Sequence, residues 1–278
     1  MKILLKIKLA LLFISLLLSC NSKPETVKIE NQKRSVVQMV TSHGTMSMEL
    51  FNETPLHRDN FIKLVNKKAY DSLLFHRVIE SFMIQGGDPE SRNAASKTLL
   101  GEGDLGYTVK AEFNPTLFHK KGALATARIE SLDRVSSAIQ FYIVQGKVLN
   151  DSLIDTLEYR INKMLARHYT INDSLYRPLW LDYTKAIDED NKELYNSIND
   201  SINAIAKSYS NFKKYAIPQS HRDIYKTIGG TPHLDQNYTV FGQVIEGLQV
   251  IDSIAKIDVD ENNRPLSDVR ILSVRLKN

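Results

Sequence analysis

The chain has only one cysteine, Cys20, and it has no glycine between Gly146 and Gly229. Without a second cysteine it can form no intrachain disulfide in any redox compartment. A long stretch without glycine favours continuous helices, because glycine in a helix interior costs about 1 kcal/mol relative to alanine. We therefore expect helices in residues 147–226 and a role for Cys20 other than a disulfide.

The chain also lacks a strong excess of charge. It carries 36 basic and 32 acidic residues, and 33 basic residues remain once Lys2, Lys6 and Lys8 are set aside. A nearly neutral mature protein gives no case for nucleic acid or for a strongly acidic partner. Several histidines are scattered along the sequence without metal-ligand spacing: His43, His57, His119, His168 and His221. We therefore expect no nucleic-acid partner, no metal site and no cofactor.

The main apolar run, residues 9–18, is too short to span a membrane. It follows a basic start and ends in the tetrapeptide Leu-Leu-Ser-Cys, which closes at Cys20 and resembles the bacterial lipobox. In signals of that family the cysteine receives a lipid, such as palmitate, and becomes the mature N-terminus. We therefore predict a signal peptide over residues 1–19 and a flexible polar tether over residues 20–35. A cleaved signal with an incidental cysteine is the alternative.

Short strands dominate the pattern outside residues 147–226. Met46, Met48 and Leu50 alternate with polar residues and predict a hairpin. Helices are predicted after Thr54-Pro55, which supply an N-cap and a first-turn proline, and near residues 248–254. The strand signals cover residues 36–51, 75–88, 107–113, 123–127, 139–144, 239–244 and 269–276. Many short strands with two helices indicate a mainly β fold, a closed antiparallel barrel.

Apolar residues recur at helical spacing within residues 147–226. Between Ile154 and Leu165, and again between Leu194 and Phe212, apolar residues follow one another mostly three or four positions apart. Ser220 and Asp223 resemble a capping box that opens a third, short helix. We therefore predict an inserted all-helical segment at 147–226, with barrel segments at 36–146 and 227–278.

Residues 75–88 carry the main chemical signal, because Arg77 and Gln85 lie among apolar residues. The apolar neighbours are Val78, Ile79, Phe82, Met83 and Ile84. The segment contains neither an obvious nucleophile nor a metal cluster. Its composition favours the binding and polarisation of a neutral, mainly hydrophobic substrate with one polar centre.

Five blocks in order resemble the cyclophilin peptidyl-prolyl cis-trans isomerases. They are Phe-His-Arg-Val-Ile to Gln-Gly-Gly-Asp over 75–88, Ala-Glu-Phe at 111–113, Gly-Ala-Leu-Ala-Thr-Ala-Arg at 122–128, Gln-Phe-Tyr-Ile at 140–143, and residues 234–244. The resemblance implies an eight-stranded antiparallel barrel capped by two helices. It also implies that the protein catalyses rotation of X-Pro amides in proline-containing polypeptides. Residues 147–226 lie outside the resemblance.

The resemblance also assigns roles to individual residues. The implied catalytic residues are Arg77, Gln85 and Gln140, where Gln85 binds a substrate carbonyl and Gln140 helps to hold Arg77. The implied substrate-binding residues are Phe82, Met83, Ala127, Arg128, Tyr142, His233, Leu234 and Tyr238.

Three of these substrate-binding residues depart from the family pattern. Tyr142 stands where Phe is commonest, Tyr238 where His is frequent, and His233 where many eukaryotic members have Trp, so we expect weak cyclosporin binding. His76 adjoins Arg77 but points to the opposite face of its strand, which predicts a core position.

The sequence therefore predicts a prolyl isomerase of the cell envelope, anchored by a lipid on Cys20, with the outer membrane as the expected site. The alternative is a chaperone or protein-binding module that acts through residues 147–226. A third interpretation treats this segment as a dimerisation hairpin, whereas packing of its helices on one another is favoured. The client proteins, the membrane leaflet and the oligomeric state stay open at this point.

Overall fold

The computed structural model describes residues 33–277. The predicted signal peptide, the lipidation site Cys20 and most of the predicted tether lie outside the described residues. Within residues 33–277, no helix is long and apolar enough to cross a membrane.

Ten strands and six α-helices make up the described part of the chain. The strands are β1 (Val36–Thr41), β2 (Gly44–Leu50), β3 (Phe75–Ile79), β4 (Met83–Gly86), β5 (Thr108–Val109), β6 (Ala123–Thr126), β7 (Ser136–Ser137), β8 (Phe141–Val144), β9 (Val240–Glu246) and β10 (Ile271–Lys277). The α-helices are α1 (Pro55–Asn66), α2 (Asp151–Asn172), α3 (Arg177–Asp188), α4 (Lys192–Ser208), α5 (Gln219–Thr227) and α6 (Leu248–Ala255). Two 3₁₀ helices cover Pro89–Asn93 and Pro232–Leu234.

Eight of the described strands form one antiparallel sheet in the order β10-β1-β2-β9-β6-β8-β4-β3. The strands β5 and β7 pair separately. The eight-stranded sheet is open, because no ladder in the described residues joins its edge strands β3 and β10. An isolated bridge between Leu74 and Arg270 connects the segments beside these edges. Its two hydrogen bonds run from the Phe75 amide to the Val269 carbonyl at 2.9 Å and from the Ile271 amide to the Leu73 carbonyl at 2.8 Å. The closed barrel predicted from the sequence is therefore not confirmed, whereas the antiparallel eight-stranded sheet is.

Helices α1 and α6 pack their apolar faces on this sheet. Phe61 of α1 contacts Phe141 of β8 edge-on, with ring centroids 6.1 Å apart. Ile251 of α6 is fully buried in the same cluster. Helix α1 begins as predicted, with Thr54 as N-cap and Pro55 in the first turn, but the Thr54 hydroxyl makes no capping hydrogen bond. Burial of an apolar face, rather than a side-chain cap, therefore accounts for α1.

Four helices, α2 to α5, lie between β8 and β9, where three were predicted. Helix α3 was not predicted. The second predicted helix extended to Phe212, whereas α4 ends at Ser208. The predicted capping box was wrong, because α5 begins after Pro218 and has no side-chain capping hydrogen bond. The helical character of the segment is confirmed, and its boundaries as a separate domain stay a prediction.

Two clusters of buried apolar residues join the four helices. One cluster joins α2 with α5 and the chain before it: Leu149, Ile154, Ile161, Leu165, Ile217 and Tyr225. A second cluster joins α2, α3 and α4 through Ile171, Trp180 and Ile202. The helices therefore pack on one another, as favoured from the sequence, while Leu153, Leu181 and Leu194 are exposed. The dimerisation hairpin stays a prediction.

Candidate active site

Arg77 and Gln85 face each other across the hairpin of β3 and β4. The strand pairing shifts between Phe75 and Arg77, so that Arg77 lies opposite Gln85. The Nη1 atom of Arg77 donates a hydrogen bond to the Oε1 atom of Gln85 at 3.3 Å. The Arg77 side chain is otherwise exposed. A guanidinium has five N–H donors in a rigid fork, so Arg77 keeps donors for a ligand.

A chain of side-chain amides extends from Gln85 into the protein. The Nε2 atom of Gln85 donates to the Oε1 atom of Gln140 at 3.0 Å. The Nε2 atom of Gln140 donates in turn to the carbonyl oxygens of Gly101 and Gly103, at 2.8 and 2.7 Å. Gln140 is buried, so its position is well determined by these bonds. Gln140 thus reaches Arg77 through Gln85, an arrangement suited to orienting the guanidinium.

A cavity of about 160 Å³ lies beside Arg77. The side chains of Met83, Tyr142 and Leu234 in its wall are buried. The residues that line it are Arg77, Phe82, Met83, Gln85, Ala127, Arg128, Tyr142, Leu234 and Tyr238. All nine were named from the sequence. The cavity therefore combines an apolar wall with an exposed cation, as the composition of residues 75–88 predicted.

The two remaining predicted site residues lie next to this cavity. Gln140 lines an adjoining cavity of about 520 Å³ together with Gln85, Ala127 and Arg128. The His233 ring stacks on the Phe82 ring with centroids 5.4 Å apart. Burial lowers the pKa of His233 to about 4, so its ring is neutral at pH 7. The structure thus brings all eleven predicted catalytic and substrate-binding residues to one region.

Arg128 is held within the wall of the cavity. Its guanidinium lies over the Tyr238 ring, 4.7 Å from the centroid. Its Nε atom also donates to the carbonyl oxygen of Asn237 at 2.7 Å. The Tyr238 ring contacts the Tyr142 ring edge-on, with centroids 6.1 Å apart. These contacts make Arg128 part of the wall of the groove that the two adjoining cavities form. Arg77 is the more exposed of the two cations.

His76 lies on the opposite face of β3 from Arg77, as the alternation of the strand predicts. It is buried, and neither ring nitrogen has a hydrogen-bond partner within residues 33–277. Burial lowers its pKa to about 4, which keeps the ring uncharged at pH 7. His76 is therefore a neutral core residue.

Tyr142 has a buried partner, His119, that was not predicted from the sequence. The Nε2 atom of His119 lies 2.9 Å from the Tyr142 hydroxyl, and the two rings are nearly parallel. Burial raises the pKa of Tyr142, so its hydroxyl keeps its proton at pH 7. A signal for this contact was present, because a Tyr in place of the usual Phe adds a buried hydroxyl that needs a partner.

The antiparallel sheet and its two packed helices form a cyclophilin-type fold, with the pocket beside Arg77 on the same sheet. The family model described as "Cyclophilin type peptidyl-prolyl cis-trans isomerase/CLD" matches residues 36–170 and 190–276. The chain belongs to this family, and it is a cyclophilin-type peptidyl-prolyl cis-trans isomerase.

Related proteins agree with this assignment. A relative from Staphylococcus aureus (strain COL), assigned to the peptidyl-prolyl cis-trans isomerases, is 29% identical over 252 residues, which are 90% of this chain and 96% of the relative. A bifunctional phosphatase/peptidyl-prolyl cis-trans isomerase assigned in Streptococcus pyogenes serotype M6 is 28% identical, and the match spans 89% of this chain but only 40% of that protein. A solved cyclophilin-type isomerase from Cryptosporidium parvum shares the fold, with a TM-score of 0.50 and 17% identity over 88% of this chain and 99% of that one.

Proposed function

We propose that Arg77 catalyses X-Pro rotation by donating a hydrogen bond to the prolyl nitrogen. Amide resonance makes the bond planar and sets a barrier of about 20 kcal/mol to rotation. In the twisted state the resonance is lost, and the nitrogen becomes pyramidal and basic. A donor placed at this nitrogen lowers the barrier because it stabilises the twisted state more than the planar one.

The geometry around Arg77 supports this mechanism. The cavity of about 160 Å³ would take the proline ring against Phe82, Met83 and Leu234, beside the guanidinium. Gln85 holds the Arg77 side chain from the same sheet, and its own amide lies at the cavity, where it can bind a substrate carbonyl. Because no covalent bond is broken in this rotation, the site needs neither a nucleophile nor a general base.

A prolyl isomerase assay on the wild-type chain and on the Arg77→Ala variant tests the mechanism. We expect the wild type to accelerate exchange of a short X-Pro peptide and the variant to lose most of that acceleration. Unchanged turnover in a folded Arg77→Ala variant would contradict the role of Arg77.

We further propose that the substrates are exported proteins and that a lipid on Cys20 anchors the enzyme in the cell envelope, at the outer membrane. The sequence around Cys20 carries this proposal. The charged start, the short apolar run and the tetrapeptide ending at Cys20 have the order of a lipoprotein signal. An enzyme placed there would meet polypeptides that fold after export.

A Cys20→Ser substitution is expected to move the protein from the membrane fraction to the soluble fraction. It should also abolish incorporation of labelled palmitate, because the side-chain sulfur of Cys20 is the atom that would carry the lipid. Ser19→Ala, which keeps the cysteine, serves as the matched control. A Cys20→Ser protein that stays in the membrane fraction, or a wild type without label, would contradict the anchor.

A second candidate function is protein binding by the helical segment, because α2 borders both walls of the groove. Helix α2 contacts the 3₁₀ helix Pro232–Leu234. On the other side, the Nε atom of Arg167 lies 2.6 Å from the Oε1 atom of Glu130, in the loop that follows Arg128. A polypeptide bound in the groove would therefore have helical surface beside it.

Aggregation assays separate this second function from isomerisation. We expect the Arg77→Ala variant to suppress aggregation of an unfolded protein as well as the wild type does, since Arg77 lies outside the helical segment. Loss of both activities in that variant would show that the site around Arg77 does the binding, and the second function would be discarded.

A further inference from the structure

A buried chain of hydrogen bonds runs from Tyr142 in the proline pocket to Tyr225 in α5. The Tyr142 hydroxyl lies 2.9 Å from the Nε2 atom of His119, and the Nδ1 atom of His119 lies 2.8 Å from the Oδ1 atom of Asp235. The Oδ2 atom of Asp235 lies 2.7 Å from the Tyr225 hydroxyl. All four side chains are buried, with 0 to 4% of their surface exposed.

The donors and acceptors of this chain follow from Asp235. An ionised carboxylate only accepts hydrogen bonds, so the Tyr225 hydroxyl and the Nδ1–H group of His119 donate to it. In the tautomer that carries its proton on Nδ1, the His119 ring has a lone pair on Nε2, which accepts from the Tyr142 hydroxyl. The backbone amide of His119 also donates to Oδ1 of Asp235, at 2.9 Å. Each buried polar atom of the chain thus has a partner of the right kind.

The chain connects parts of the protein that are distant in sequence. Tyr142 lies in β8, where its backbone pairs with that of Gln85 and of Ala125. Asp235 follows the 3₁₀ helix that carries the pocket residue Leu234. Tyr225 comes from the helical segment and is packed edge-on against Phe118, with ring centroids 5.4 Å apart. The helical segment is therefore bonded to the pocket wall through side chains that do not line the pocket.

We propose that His119, Asp235 and Tyr225 are positioning residues that set the orientation of the Tyr142 ring and so make the helical segment part of the proline site. The proposal rests on the function proposed above for the pocket beside Arg77. A hydrogen bond to a fixed partner holds a buried tyrosine ring in one orientation. Here the partner is His119, which is held by Asp235, and Asp235 is held in turn by Tyr225 of α5. Without Tyr225, the carboxylate and the imidazole lose one anchor, and the Tyr142 ring gains freedom to rotate.

A double-mutant cycle on Tyr225→Phe and Tyr142→Phe tests the proposal. Both changes remove one hydroxyl and keep the ring. In the wild-type background, Tyr225→Phe is expected to lower kcat/KM for a short X-Pro peptide about fivefold, the factor that corresponds to one typical hydrogen bond. The loss should fall mainly on KM, because the wall contacts the planar and the twisted proline alike. In the Tyr142→Phe background, Tyr225→Phe should not change kcat/KM further, since the chain is already cut.

Tyr209→Phe is the matched control. The Tyr209 hydroxyl donates to the Oδ2 atom of Asp173 at 2.8 Å, again within the helical segment. Within residues 33–277, no side-chain hydrogen bond joins Asp173 to a residue that lines the pocket. We expect this variant to keep the wild-type kcat/KM, which separates the proposed chain from general loosening of the helices.

Two outcomes would overturn the proposal. An equal effect of Tyr225→Phe in both backgrounds would mean that it acts by another route. No effect in either background, with lowered thermal stability in both, would leave Tyr225 with a purely structural role. Failure of the Arg77 mechanism can be distinguished from failure of this proposal. It would leave kcat of the Arg77→Ala variant at the wild-type value, whatever the double-mutant cycle shows.

Discussion

The Arg77→Ala variant is expected to lose about 100- to 1000-fold in kcat/KM on a short X-Pro peptide, the usual cost of removing one donor from a charge-stabilising site. The loss should appear in kcat with KM nearly unchanged, because the bond to the prolyl nitrogen strengthens as the amide twists. NMR exchange spectroscopy of an Ala-Pro peptide measures both constants. The stability of the protein should not change, since Arg77 is exposed and its one hydrogen bond, to Gln85, is long at 3.3 Å.

Two further arginine variants make the test specific. Arg77→Lys keeps the charge but loses the rigid fork, so we expect it to retain more activity than Arg77→Ala and less than the wild type. Arg275→Ala is the matched control, because this exposed arginine on β10 pairs with Asp71 and lies outside the site. If Arg77→Ala and Arg275→Ala had the same activity, Arg77 would have no catalytic role.

The site was largely predictable because its chemistry lies in short, local segments. Arg77, Phe82, Met83 and Gln85 fall within one hairpin, where the sequence of alternating residues determines which side chains share a face. Their partners in other strands came from the resemblance rather than from the pattern. The bulge that places Arg77 opposite Gln85 carries no sequence signal of its own.

The helical segment was predicted less well, for physical reasons. The apolar spacing continues past the end of α4 to Phe212, because that ring stacks on Tyr169 of α2 at 5.4 Å although the chain is no longer helical. Helix α3 was missed because its buried face is small and includes only Trp180 and Ala186. Periodicity reports which residues are buried, and burial does not always require a helix.

The sequence indicated that the Tyr142 hydroxyl needs a partner, but it did not identify His119, Asp235 or Tyr225 as the residues of the hydrogen-bond chain. His119 and Asp235 are 116 residues apart, and His119 and Tyr142 are 23 apart. No periodicity relates such positions, and a lone buried histidine or aspartate has no recognisable spacing. Such contacts become visible once the strands and the 3₁₀ helix have been brought together by the fold.

The Asp235→Ala variant is expected to lose about 3–6 kcal/mol of the free energy of unfolding. The Asp235 carboxylate accepts from the His119 amide, the His119 ring and the Tyr225 hydroxyl, and its removal leaves these donors buried without their partner. Each unsatisfied buried group costs about 1–3 kcal/mol, against a total stability of about 5–15 kcal/mol for a typical domain. Urea unfolding monitored by circular dichroism measures the loss.

Asp235→Asn is the control of equal size, and it separates the hydrogen bonds from simple packing. Its Oδ1 atom would still accept from His119, and its amide would donate to the Tyr225 hydroxyl, which can turn to accept. We therefore expect the asparagine variant to lose less than half as much stability as the alanine variant. Equal losses in both variants would assign the effect to the charge of Asp235, and no loss in either would contradict its place at the centre of the buried chain. Because only the alanine variant loses these bonds, a folded Asp235→Ala protein should bind X-Pro peptides more weakly than the Asp235→Asn protein.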